Sequence, residues 1–462
     1  MSLPARLDRL PISRPHYRLL FIGGLGYTFD GMDGAVVAFL LPSIQPLWHL
    51  TNAQLGTVSS AGIFGYLFGA MTAGIVGDRF GRRIVMMGAL GFYALFTVVA
   101  AFAPGFSFFL AARSLAGFGN GAEAAIIAPF LSEFVPARQR GWFIGTLAGF
   151  FSFGFVGAAL LARFVVVASP DGWRIAQLFT ALPVMLLLWW RRALPESPRY
   201  LLAQGRQHEA EAVVKALERG VEIATGRPLA KVVSDEASLT AQTQTTVVDA
   251  IRFLWSGAMA RRTAVVWLLW FVQTFSYYSF FNWIPTLLVQ RGITVTRSFE
   301  FSIIIYLAQV PGYFSAAWAS EHIDRKRTMA LYLSGAAVCA LWLSRMTTGP
   351  GITAAGAALS LFLNGTVAAL YAYTPEVFPT WVRATGMGLS SAFGRIGGII
   401  APLFIGFFAE RLGFAGVFGA TTLVLAAGVL TVLFFGLSTA GRSLEVLSGD
   451  VLPAGTTFEQ PV

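Results

Sequence analysis

The sequence predicts an all-α membrane protein of twelve transmembrane helices in two six-helix halves, and three observations carry that prediction. The chain of 462 residues is 56% hydrophobic and only 12% Asp, Glu, Lys or Arg, about half the charge of an average soluble domain. Its basic residues fall in short clusters between long apolar runs, and all but Lys215, Lys231 and Lys326 are arginines. Two short charged motifs each occur twice, about half a chain apart. With a mean hydropathy of +0.66, no water-soluble fold could keep so much apolar surface dry, so a single soluble domain and a disordered chain are excluded. A lone cysteine, Cys339, excludes a disulfide scaffold. The net charge of +10 does not point to nucleic acid, because arginine clusters between apolar runs are the positive-inside pattern of a multispanning protein.

A helix needs about 20 mostly apolar residues to cross the hydrocarbon core. Segments of that kind lie near 19–47, 55–76, 84–103, 106–130, 142–166 and 173–193. Six more follow near 263–290, 300–320, 328–346, 351–375, 384–408 and 413–437. The first is too long for a cleavable signal and carries two aspartates. The arginines orient the bundle: Arg6, Arg9, Arg14 and Arg18 in the amino-terminal arm, then Arg79, Arg82, Arg83, Arg138, Arg140, Arg191, Arg192, Arg199, Arg206, Arg325, Arg327 and Arg383 in even-numbered loops. Odd-numbered loops are poor in basic residues, with Arg291 and Arg297 as exceptions. Both termini are therefore expected in the cytoplasm.

Residues 1–193 form the expected first half, 194–262 a polar linker with short helices, 263–437 the second half and 438–462 a cytoplasmic tail. The halves repeat. Gly77-Asp78-Arg79-Phe80-Gly81-Arg82-Arg83 follows the second span, and His322-Ile323-Asp324-Arg325-Lys326-Arg327 follows the eighth. Glu133-x-x-Pro136-x-x-x-Arg140 follows the fourth, and Glu376-x-x-Pro379-x-x-x-Arg383 the tenth. The aspartates are 246 residues apart and the glutamates 243, consistent with one duplicated six-helix unit. Parallel six-span repeats around a midplane site are the build of an alternating-access transporter.

Gly77 to Arg83 resembles the signature loop of the major facilitator superfamily, and Arg113-x-x-x-Gly117-x-Gly119-x-Gly121 resembles its second motif. Pro195-Glu196-Ser197-Pro198-Arg199, with Gly172-Trp173-Arg174, resembles the sugar-porter and organic-ion branch. The resemblance covers nearly the whole chain and implies the major facilitator fold. It also implies a cytoplasmic gate of charge pairs from Asp78, Arg79, Arg83, Glu133, Arg140, Glu196 and Arg199, with Asp324, Arg325, Glu376 and Arg383 in the second half. Plain topology signalling is the competing account of single arginines such as Arg82 or Arg327.

An ionisable side chain at the bilayer centre costs roughly 2.5–3.5 kcal/mol on insertion scales. Those left inside the spans are Asp30, Asp33, Arg113, Glu123, Arg163 and Arg395. Arg163 is near a span end and can snorkel. Asp30 and Asp33 share one face of the first span, in Asp30-Gly31-Met32-Asp33-Gly34, where glycines permit bending. Two carboxylates so close in a low dielectric do not both ionise easily, which suits a proton carrier. Asp33 lies at about the depth of Arg113. An Asp–Arg pair there resembles proton-coupled members of the superfamily, and Asp-Gly-x-Asp resembles aromatic-acid proton symporters. The bland alternative is an ion pair that merely locks the bundle. Glu123, nearer the cytoplasmic end, fits a proton role or a gating role.

Arg395 stands mid-span in Ser390-Ser391-Ala392-Phe393-Gly394-Arg395-Ile396-Gly397, and its guanidinium can grip a carboxylate with two parallel hydrogen bonds. The stretch resembles organic anion transporters, which carry an arginine there. Gln273, Tyr277, Tyr278, Asn282 and Trp283 on span seven, Tyr27 on span one, and Gln309, Asn364 and Tyr371 in the second half complete the candidate substrate site. Trp283 also fits an interfacial anchor. Together these features imply a secondary transporter importing a small organic anion with protons, and they look most like nicotinate permeases. The expected protein is monomeric, sits in the inner or plasma membrane, and uses a proton gradient and no cofactor or metal. A sugar:proton symporter and a receptor-like member without transport are the alternatives. An enzyme is not expected, since metal-ligand clusters, phosphate loops and nucleophile triads are lacking.

Overall fold

The computed structural model describes residues 3–185, 189, 194–229, 247–379 and 381–438. The end of span six, the middle of the linker and the tail lie outside the described residues, and with them Arg191, Arg192 and Lys231. The regular elements among the described residues are helical. A short α1 (Leu3–Asp8) precedes the first five spans: α2 (Arg14–Leu47), α3 (Asn52–Phe80), α4 (Arg82–Ala101), α5 (Phe106–Ser132) and α6 (Arg140–Phe164). Helix α7 (Gly172–Thr180) begins span six, and the linker holds α8 (Pro198–Ala203), α9 (Gln207–Thr225) and α10 (Val247–Leu254).

Spans seven and eight are each broken, where the sequence suggested continuous helices. Span seven is α11 (Gly257–Phe281) then α12 (Ile284–Gln290); span eight is α13 (Val295–Leu307) then α14 (Gln309–His322). Pro285 and Pro311 explain the breaks, because a proline removes one helical donor and its ring clashes with the carbonyl four residues earlier. Those carbonyls belong to Phe281 and Leu307, the last residues of α11 and α13. Spans nine and ten are α15 (Arg325–Arg345) and α16 (Gly349–Val377). Spans eleven and twelve run together as α17 (Arg383–Phe435), divided at Gly413, whose φ of 61° and ψ of −176° are non-helical.

Among the described residues, eight helices or helix pairs are long and apolar enough to cross a membrane. Helices α2 and α5 fall short of that measure although they have the length. They carry Asp30 and Asp33, and Arg113, Asn120 and Glu123, the polar residues that later define a site.

The chain forms two compact units. The first comprises Met1–Thr240 with Phe281–Tyr306, the second Ala241–Phe280 with Leu307–Val462. In the first unit α3 packs on α5, α4 on α5 and α2 on α6; in the second α15 packs on α16 and α17, and α14 on α16. Glycines set the α5 contacts. A Cβ at Gly117 would stand 2.1 Å from the Gly62 carbonyl oxygen and one at Gly121 2.0 Å from that of Tyr66, both on α3, while Gly119 abuts Tyr93 on α4. This close approach brings the polar face of α5 to its partners. Gly31 works the same way: α2 continues unbroken through it, and a Cβ there would stand 2.5 Å from the Phe151 carbonyl oxygen on α6. Close packing, not bending, accounts for this glycine.

At the motif-bearing end, Leu3, Leu7 and Leu10 join Ala210, Val214, Leu217 and Val221 of α9 in the same buried core as Leu19, Phe130 and Phe134. Arg6 and Arg9 clamp Glu218 of α9, with Arg6 Nε at 3.0 Å from Oε1 and Arg9 Nη2 at 2.7 Å. Burial raises the Glu218 pKa, but hydrogen bonds from both guanidinium groups outweigh it and hold the carboxyl below its ordinary value.

Candidate functional site

Helix α2 carries Asp30 and Asp33 one turn apart into the first unit, and their surroundings differ. Asp33 is fully buried. Arg113 meets it end-on, with Nη1 at 2.9 Å from Oδ1 and Nη2 at 3.1 Å from Oδ2. The amide of Asn120 donates to Oδ2 at 3.1 Å, and the hydroxyls of Thr97 and Thr180 lie 3.3 and 3.1 Å from Oδ1. Arg113 also donates to the Asp33 carbonyl oxygen and to Gln177 Oε1. A buried ion pair holds its charges when geometry is bidentate and the remaining lone pairs are filled, and both conditions are met here.

Asp30 and Glu123 are 4% and 0% exposed, yet none of their four carboxylate oxygens has a hydrogen-bond partner among the described residues. Asp30 lies within electrostatic reach of Glu123 and Asp33. Tyr27 belongs to this unit, its hydroxyl 3.4 Å from the Ala124 carbonyl oxygen. Asn282 and Trp283, at the break between α11 and α12, fall within the Phe281–Tyr306 segment of the first unit. Trp283 is fully buried, with no acceptor for its indole N–H.

The second unit gathers a different chemistry. Gly394 and Gly397 let α17 close on α11: the Thr274 hydroxyl donates to the Gly394 carbonyl, and a Cβ at Gly397 would stand 2.7 Å from the Phe271 carbonyl oxygen. This sets Arg395 beside Tyr278, to whose hydroxyl oxygen Nη1 donates at 3.1 Å. Tyr313 on α14 lies within electrostatic reach of Arg395, Tyr278 and Tyr371. Tyr277 packs edge-on to Tyr278, and Trp270 edge-on to Tyr371. Nearby helices hold buried amides with unmet atoms. Gln273 donates to the Leu363 carbonyl but its Oε1 has no partner. Asn364 donates to Ser360 and leaves Oδ1 unmet. Gln309 is 1% exposed and neither amide atom is bonded.

The inner-face motifs form ion pairs within each unit. Glu133 pairs with Arg82 and accepts from the Ser197 hydroxyl, while Arg325 Nε stands 2.7 Å from Glu376. Glu196 accepts the Arg83 backbone N–H at 3.1 Å. Arg140 donates to the Ser132 and Val135 carbonyls and lies 3.6 Å from Asp8. The Arg79 carbonyl accepts from Tyr200. Arg199 is exposed and makes no ion pair among the described residues, and Arg383 is half-buried at the start of α17. The side chain of Asp78 lies outside the described residues.

The geometry also corrects the repeat register. Gly81 (φ 100°, ψ 139°) precedes α4, and Asp324 (φ 137°, ψ 143°) precedes α15 in nearly the same backbone conformation. These two residues are 243 apart, as are Arg82 and Arg325, and Glu133 and Glu376. Asp324 is therefore the counterpart of Gly81, and the counterpart of Asp78 is Glu321. The 246-residue spacing of the aspartates arose because the second copy holds an aspartate at the glycine position.

Sequence reading missed Thr97, Asn120, Gln177 and Thr180 around Asp33, Tyr313 within electrostatic reach of Arg395, and Ser197 at the motif end, where the sequence alone leaves Arg82 between topology signal and gate. Spacing could have found some: Arg113, Asn120 and Glu123 lie seven and three residues apart on α5, one helical face. Tyr313 follows Gln309 by four.

Residues 23–450 match the family described as "Sugar (and other) transporter". The niacin transporter NiaP of Acinetobacter baylyi is 39% identical over 96% of this chain and 99% of its own length. A Bacillus subtilis protein named for niacin and nicotinamide transport is 33% identical over 94% of this chain and 99% of its own. The inward-open structure of the xylose transporter XylE from E. coli superposes with a TM-score of 0.76 at 17% identity, covering 94% of this chain and 99% of that one. Membrane-spanning helices, a family match across nearly the full chain and these relatives lead to one conclusion: this multi-pass membrane protein is a transporter of the sugar (and other) transporter family, in the major facilitator superfamily.

Proposed function

We propose that the protein imports nicotinate, or a closely related aromatic carboxylate, together with protons by alternating access. The observation that carries this reading is Arg395, a guanidinium set mid-helix that donates to the phenol of Tyr278, with Tyr313 within electrostatic reach. A flat ring fits between tyrosine faces, and its carboxylate fits the guanidinium fork. The names of the relatives agree. The proton chemistry belongs to the intramembrane cluster of the first unit, Asp30, Asp33, Glu123 and Arg113. The inner-face charges, from Asp78 and Glu133 to Glu376 and Arg383, form the cytoplasmic gate. Both termini face the cytoplasm of a cell-membrane carrier that works as a monomer and draws on a proton gradient instead of a cofactor.

A sugar substrate is the second reading, favoured by the unmet amides of Gln273, Gln309 and Asn364, since sugars need many hydrogen bonds. Thermal-shift titrations of the purified protein with nicotinate, nicotinamide, benzoate and hexoses separate the two. The expected result is stabilisation by nicotinate and not by nicotinamide. In Arg395→Ala, nicotinate affinity should fall roughly 10- to 100-fold, as expected for a charge-assisted hydrogen bond worth about 1.5–3 kcal/mol. A response to hexoses alone overturns the anion reading.

A further inference from the structure

The two carboxylates on α2 do different work. We propose that Asp30 and Glu123 form a carboxyl pair that takes up and releases a transported proton, while the Asp33–Arg113 ion pair keeps its charges throughout. This rests on the proton-coupled reading above.

Asp33 has no unfilled need: Arg113 balances its charge, and Asn120, Thr97 and Thr180 meet its oxygens. Protonating it would strand a buried guanidinium, which costs roughly 3–5 kcal/mol. Asp30 and Glu123 are the reverse case. Both are buried, and their four oxygens have no donor. Two carboxylates without donors in low dielectric hold a proton between them, because the charged forms lack both solvation and a counter-charge.

The groups around Asp30 support this. On its own helix the titratable groups one turn away are Asp33, already paired, and Tyr27, whose hydroxyl donates to the Ala124 carbonyl. From α5, contacts of Asn120 with Asp33 and of Ala124 with Tyr27 bring the turn that carries Glu123 to that of Asp30, within electrostatic reach, with Arg113 committed to Asp33. From α4 comes Tyr93, within electrostatic reach of Asp30, Asp33 and Glu123, its hydroxyl donating to the Thr180 carbonyl at 3.3 Å. From α6 the neighbours are Phe150 and Phe151, against Gly24 and Gly31. A separate observation points to a missing proton. Asn120, buried on the same face of α5 one turn before Glu123, spends its N–H on Asp33 and has an acceptor, Oδ1, with no donor. A carboxylic O–H is the donor such a site lacks.

The chemistry is a proton transfer alone. A proton from water adds to a carboxylate oxygen of the pair while the site is open to one side, and leaves to water on the other. With a monoanionic substrate, each proton beyond the first adds net positive charge to the transported set.

The experiment uses full-length protein in liposomes loaded for two assays, nicotinate exchange without a gradient and nicotinate accumulation driven by a pH gradient. Asp30→Asn and Glu123→Gln keep shape and remove the titratable group. In each, the ratio of accumulation to exchange should fall at least tenfold. Infrared difference spectra between acidic and alkaline pH should show a protonated-carboxyl band in the wild type that both variants reduce. The infrared readout holds even for a variant too slow to assay. Variants that keep the wild-type ratio, or a carboxyl band removed only by Asp33→Asn, overturn the assignment. A wild type that exchanges nicotinate yet never accumulates it under a pH gradient overturns the coupling reading instead.

Discussion

The two halves repeat the same inner-face motif but not the same interior. At the motif-bearing end, Arg82–Glu133 and Arg325–Glu376 are one ion pair made twice, at one constant offset. Midway along the spans the likeness stops. The first half buries Asp30, Asp33, Glu123 and Arg113; the second sets Arg395 on the phenol of Tyr278, within electrostatic reach of Tyr313. The scaffold and its end contacts are therefore shared by the halves, whereas the interior chemistry is particular to each. Acids that can hold protons and an arginine that can hold an anion have been divided between them.

The largest effect expected from this contrast is at Asp33. Asp33→Asn leaves Arg113 charged and buried with no counter-charge, so the protein should lose roughly 3–5 kcal/mol of stability. Thermal or denaturant unfolding in detergent measures it. Arg395→Ala should cost much less, because the phenol it leaves behind at Tyr278 is neutral and only partly buried. If the two variants unfold alike, the first-half network is not a structural lock and the contrast fails.

Much of this was legible in the sequence, for a physical reason. Charge inside a span is costly, so the few intramembrane ionisable residues stand out, and Asp33, Arg113, Asp30, Glu123 and Arg395 were all visible. Their polar company was not. Thr97 and Thr180 are ordinary residues in a membrane helix, and only packing shows that their hydroxyls converge on one carboxylate. The breaks in spans seven and eight had a signal in Pro285 and Pro311, obscured by the hydropathy on either side. The repeat register went astray because identical residue types were matched where a shared backbone conformation was the true constraint.

That constraint gives an intermediate effect of opposite sign in the two halves. Gly81 and Asp324 both adopt positive φ outside the left-handed helical well, a region that favours glycine at a cost of roughly 1–3 kcal/mol for other residues. Gly81→Ala should destabilise by that amount, with added crowding because its Cβ would stand 2.7 Å from Glu196 Oε2. Asp324→Gly should relieve the strain and raise stability by about 1 kcal/mol, after the greater freedom of glycine in the unfolded chain is deducted. Melting curves of the two variants test this. Equal destabilisation by both would show that the two positions are not counterparts and that Asp324 acts through its carboxylate.

The smallest effect belongs to a contact outside the repeat. Arg6 and Arg9 reach Glu218 from the amino-terminal arm, bracing α9 to the first half. Glu218→Gln keeps the shape and removes the charge, and for a partly exposed pair the loss should be about 1 kcal/mol. The pH dependence follows from the direction of the shift. Because pairing lowers the folded-state pKa of Glu218, its contribution is fully present above the ordinary glutamate range, near pH 4.3, and is lost as pH falls through the lowered value. Limited proteolysis within α9 should therefore accelerate on acidification in the wild type and be fast at every pH in Glu218→Gln. A cleavage rate indifferent to both pH and the substitution would mean that the leucines of α1 hold this brace by packing, with the ion pair incidental.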